Sequence, residues 1–125
     1  LGYGGSRKAP EFSSTPYYVC HATTSLVYIK AGVLQRLEGM AEDIPGVQME
    51  DVDFSFRALK AGLRILWLPS EAIHMESATK RPLMKDFNNK IAEAFQEIKK
   101  RHLNDPEFLK LTRSYPKPVK EEAHV

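Results

Sequence analysis

A small α/β fold, with a short mixed sheet and helices packed on it, is what this sequence predicts. Two short runs, Tyr17–Ile29 and Arg64–Leu68, are rich in aromatic and branched aliphatic residues and read as strands. Two other segments, Glu50–Lys60 and Pro82–His102, repeat apolar residues at helical spacing. Strand-like and helix-like segments are interleaved along the chain, and glycines, prolines and an acidic loop separate them.

Residues 1–16 form a lead-in rich in Gly, Ser and Pro and read as flexible. Gly2, Gly4 and Gly5 are not followed by a strand-to-helix pattern, so they do not make a phosphate-binding loop. In the strand Tyr17–Ile29, the small polar stretch Ala22–Ser25 either bends the chain or brings it close to a ligand. Lys30–Leu37 is a short helix with Val33, Leu34 and Leu37 on one side, stopped at Gly39. An acidic loop, Ala41–Gln48, follows, with a turn at Pro45-Gly46.

In Glu50–Lys60, Val52, Phe56 and Leu59 share a face, and Gly62 ends the helix. A short strand, Arg64–Leu68, stops at Pro69, and an irregular stretch carries His74. The longest helix starts at Pro82, a residue suited to a first helical position. Leu83, Phe87, Ile91, Ala94, Phe95 and Ile98 make its stripe. Asp105-Pro106-Glu107 reads as the cap and first turn of a short last helix. The segment 114–125 is rich in Pro and charge and reads as a disordered tail, which leaves 17–113 as one domain.

Composition narrows the function classes. A net charge of +2 is too small for a nucleic-acid or anionic-membrane binder. Cys20 is the single cysteine, so no internal disulfide forms, and its apolar neighbours suit a buried thiol. No apolar run approaches the roughly 18 residues of a membrane span. The chain starts at Leu1, as expected of an excised or trimmed domain.

The densest chemistry is Glu50-Asp51-Val52-Asp53, at the start of a helix. Carboxylates there suit the positive end of the helix dipole, a purely structural role. Adjacent carboxylates also raise one another's pKa, which can make a base of useful strength. Asp53 and Arg57 stand four residues apart and suit a helix-surface ion pair. His21, Thr23 and Thr24 suit either a pocket wall or strand packing.

Four ordered features resemble the C-terminal half of a glycosyltransferase family 2 catalytic domain, of the GT-A fold. They are the strand Val19–Ile29 with the short helix after it, Glu50-Asp51-Val52-Asp53 with Arg57 and Gly62, Trp67–Ala72, and Ile73-His74-Met75-Glu76-Ser77. The resemblance spans roughly 17–104. It implies a partial GT-A fold without the N-terminal nucleotide-binding half, because no Asp-x-Asp precedes the acidic helix. The match at Glu38–Asp43 is loose.

By resemblance, the whole enzyme is an inverting, metal-dependent glycosyltransferase. It moves a sugar from a nucleotide-sugar donor to a saccharide or lipid-linked glycan acceptor. Asp51 matches the base, and Glu50 orients it or touches the acceptor. Asp53, Arg57, His21, Thr23 and Thr24 are expected at the substrate. His74 is the expected ligand of Mg or Mn, with Glu76 behind it. The resemblance places such an enzyme in the cytoplasm, at the membrane through its parent protein. The isolated chain is expected to be inactive and to pair with a second copy over its uncovered sheet. The competing reading is a non-catalytic α/β assembly or binding domain whose acidic helix start is structural.

Overall fold

The computed structural model describes residues 15–69 and 86–119. Three short strands form one antiparallel sheet in the order β2-β1-β3, with β1 (Tyr17–Val19) between β2 (Ile65–Trp67) and β3 (Lys117–Pro118). Tyr17 pairs with Trp67 and Pro118, and Tyr18 pairs with Leu66 and Lys117. Four helices accompany the sheet: α1 (Ala31–Arg36), α2 (Glu50–Lys60), α3 (Phe87–Ile98) and α4 (Pro106–Arg113). A π-helical turn, Lys99–Leu103, continues α3.

Helix α2 is the centre of the molecule. No glycine or proline interrupts it, and seven of its eleven residues are buried. Its end is set by Gly62 at φ +83°, where a side chain would be strained. There the Leu63 amide donates to the Ala58 carbonyl at 3.0 Å. Phe56, fully buried, anchors a core of Cys20, Val52, Leu59, Ile98 and Phe108. The Phe108 ring meets it edge-on at 5.0 Å and His102 at 5.4 Å.

The loop that leads into α2 rests on α3. Gly46, at φ +85°, lies so close to the Lys90 carbonyl that any β-carbon would collide with it. The next amide, Val47, donates to that same carbonyl at 3.4 Å. Gln48 and Met49 then both take left-handed conformations, at φ 68° and 74°, directly before Glu50. Such backbone is costly for residues with a β-carbon and needs the surroundings to hold it.

Several expectations hold. Helices over Glu50–Lys60 and within Lys30–Leu37 are present, as is a strand within Arg64–Leu68. Asp105 caps α4, accepting from the Glu107 amide at 3.0 Å with Pro106 next to it.

Others need correction. Every strand pairing among the described residues is antiparallel, so the sheet is not mixed. The first strand stops at Val19 instead of running to Ile29, because the chain bends at Cys20 and turns at Thr24-Ser25. There the Ala22 amide donates to the Ser55 hydroxyl of α2 at 3.1 Å instead of to a strand. The last long helix changes to π-helical winding after Ile98. Within the segment expected to be a disordered tail, Lys117–Pro118 forms the third strand. The start at Pro82 and the stretch that carries His74 lie outside the described residues. Cys20 is buried, as expected, and burial raises its pKa.

Candidate functional site

Helix α2 carries two carboxylates two residues apart that the fold treats differently. Asp51 stands in the first turn, partly exposed, and its Oδ1 accepts from the Val52 amide at 2.8 Å. Glu50 beside it is also partly exposed. Asp53, about half a turn further on, is only 2% exposed. The apolar stripe does not separate them, since both flank it; Asp53 is buried because Arg57 and the π turn, through His102 and Arg101, close over its side of the helix.

Hydrogen-bond donors and cations surround Asp53. Arg57 donates from Nε to its Oδ2 at 2.8 Å, and His102 approaches Oδ1 with Nε2 at 2.7 Å. Arg101 lies 4.0 Å from the same Oδ1. Burial alone would raise the Asp53 carboxyl, but the hydrogen bonds from His102 and Arg57 and the Arg57 charge outweigh it, and its pKa falls below the ordinary value. Arg57 has two further tasks. Nη1 donates to the Leu37 carbonyl at 2.6 Å and Nη2 to the Gly39 carbonyl at 2.7 Å. One guanidinium thus ties the end of α1 to the middle of α2, using the fork geometry a lysine lacks.

The pair Asp53–Arg57 expected on a helix surface therefore has its carboxylate buried and its guanidinium partly exposed. Asp53, placed by sequence among the substrate-contacting residues, is sealed from solvent and serves as the hub of a charge network. His102, at the end of the helical segment Pro82–His102, joins this network and is not among the residues the sequence singles out. A signal existed, because the stripe Phe87, Ile91, Ala94 and Ile98 continues four residues on at His102. Lys60 also joins, with Nζ 2.8 Å from His102 Nδ1.

On the other side of α2 the geometry is more open. His21 follows the end of β1, and the neighbouring Ala22 is held to Ser55, so this segment lies along the first two turns of α2. Burial lowers the His21 pKa, while the nearby Asp51 carboxylate pulls it upward and loses. Thr23 and Thr24 are exposed in the following turn, and the Thr23 and Ser25 hydroxyls lie 3.2 Å apart. The fold thus brings His21 near Asp51 and sends Asp53 and Arg57 to the other side of α2. His74 and Glu76 lie outside the described residues. Among the described residues, no group of three or more His, Cys, Asp or Glu is close enough together to hold a metal ion. Nor, among them, is any helix long and apolar enough to cross a membrane.

Comparison of the chain with protein-family models, with curated proteins and with solved structures found no match.

Proposed function

We propose that this chain is the acceptor-side, base-bearing part of an inverting glycosyltransferase that takes its sugar from a nucleotide-sugar donor. The observation that supports this reading most is the division of labour on α2. Asp51 is kept partly open to solvent at the mouth of the helix, while Asp53 is locked inside. Attack of an acceptor hydroxyl on an anomeric carbon needs a group to take the hydroxyl proton. A carboxylate can do this only where an acceptor can reach it, and Asp51 meets that condition. Asp53 does not.

The surroundings fit the same role. Two consecutive left-handed residues, Gln48 and Met49, set the direction from which the chain enters α2. Thr23 and Thr24 are exposed at the turn that follows the Ala22 contact with α2, and their hydroxyls suit sugar hydroxyls. In this proposal Asp51 is the base and Glu50 orients the acceptor. The donor diphosphate and its Mg or Mn belong to a nucleotide-binding half that works with this one, with His74 as this chain's ligand. The described residues build no metal centre by themselves, so the role of Asp51 stands on its position alone.

The test is Asp51→Asn in the protein that carries this segment together with its nucleotide-binding half. Transfer from nucleotide sugars to saccharide acceptors is expected to fall about a hundredfold or more, the usual effect of losing a general base. Folding should be normal by circular dichroism. Unchanged transfer would sink the catalytic reading and favour a non-catalytic α/β assembly domain.

A further inference from the structure

Where α2, the π-helical turn and α4 meet, a chain of polar groups runs from the interior to the surface. Asp53 Oδ1 is 2.7 Å from His102 Nε2, and His102 Nδ1 is 2.8 Å from Lys60 Nζ. Lys60 Nζ also donates to the Arg101 carbonyl at 3.3 Å and lies 5.0 Å from the centre of the Phe108 ring. His102 is 4% exposed, whereas Lys60 is an exposed residue.

The donor inventory fixes the proton arrangement. A lysine ammonium has donors only, so His102 Nδ1 must accept from Lys60. The one ring proton of a neutral imidazole is then on Nε2, and it donates to Asp53. A second proton has only Nδ1 to go to. There it would place two cationic donors face to face across the same contact.

We infer that Lys60 is a proton-operated latch, docked on His102 while the imidazole is neutral and released to solvent when Nδ1 takes a proton. The Asp53 contact survives the change, because Nε2–H donates in both states and gains charge in the second. The π turn thus stays fixed to α2 at Asp53, and only the lysine arm moves. Its departure uncovers the Arg101 carbonyl and a face of Phe108.

Among the described residues, the charged groups around the ring come from α2 and the π turn. Asp53 and Lys60 face it from α2, Arg57 holds the other carboxylate oxygen, and Arg101 stands beside it in its own turn. Phe56 from α2 and Phe108 from α4 add aromatic rings. Burial pushes the His102 pKa down, Asp53 pulls it up, Lys60 and Arg101 push it down, and the net direction is down. The unfolded chain therefore takes this proton first as the pH falls. The stability tied to neutral His102 is complete above the unfolded pKa and is lost as the pH drops through it toward the folded one.

Nitrogen-15 and proton NMR of the imidazole rings, in the 125-residue chain and in Lys60→Met, tests the latch. Expected at alkaline pH is a neutral His102 with its proton on Nε2, and a pKa below that of an ordinary histidine. Lys60→Met should move that pKa upward, since the Asp53 attraction is then opposed by one cation fewer. Lys60 is exposed, so the variant keeps its fold. A His102 that carries its proton on Nδ1, or a pKa that Lys60→Met leaves in place, would overturn the inference.

Discussion

Asp51 and Asp53 are the same residue type on the same helix, and about 200° of rotation separates them. Asp51 faces the segment around His21, partly open to solvent. Asp53 faces the core, where Arg57, His102 and Arg101 surround it. Sequence proximity therefore says little about shared function on a helix. Facing decides, and here it is set by a distant contact, the π turn with His102 and Arg101 packed over Asp53, because the stripe through Val52, Phe56 and Leu59 lies between the two aspartates. Asp53 is held in a buried network, while Asp51 stays partly open to solvent.

The largest effect should come from Asp53→Ala. It leaves the buried His102 ring and the partly exposed Arg57 without the carboxylate they share. Breaking one partner out of such a buried ionic network costs about 3–5 kcal/mol. Urea unfolding is the measurement, and a change below about 1 kcal/mol, the range of surface pairs, would erase the contrast between the two aspartates. The acid limb should follow the same residue. Because the Asp53 pKa is lowered, its stabilisation is present above the unfolded carboxyl value and is lost as the pH falls through the folded one.

Arg57→Lys should be intermediate. The charge remains, yet one ammonium cannot reach Asp53 Oδ2 and the carbonyls of Leu37 and Gly39 together as the guanidinium does. Two buried-side hydrogen bonds are lost, at about 1 kcal/mol each. The loosening should be local, so amide exchange should speed up around Leu37–Gly39 more than in α3. Uniform exchange through both regions would mean that Arg57 acts on the whole network instead of on α1.

Much of this molecule was legible in its sequence where local chemistry decides the outcome. Helix α2 was readable from its stripe and acidic first turn, and the Asp105-Pro106 start of α4 from its cap. The reading failed where distant contacts decide. Tyr17–Ile29 has strand composition throughout, but the Ala22 amide is taken by Ser55 of α2, thirty-three residues away. Lys117–Pro118 lies in a segment of low apolar content and forms a strand only because Tyr17 and Tyr18 are there to pair with it. The interior of the Asp53 network was half visible. Spacing gave Arg57, but His102 lies forty-nine residues from Asp53, and the π winding after Ile98 leaves no mark in the sequence.

The smallest effect sharpens the comparison most. Asp51→Asn keeps the size of the side chain and an oxygen for the Val52 amide, and removes one charge from the positive end of α2. That charge contributes about 0.3–1 kcal/mol when partly exposed, so urea unfolding should shift by about half a kcal/mol. Its influence on His21 should be more visible than its influence on stability. The Asp51 carboxylate pulls the His21 pKa upward against burial, so its removal should lower that pKa further. Two variants that differ by two positions would then separate cleanly, one through stability and one through a histidine titration. A loss of several kcal/mol from Asp51→Asn would instead make both carboxylates structural and remove the physical basis for assigning the base to Asp51.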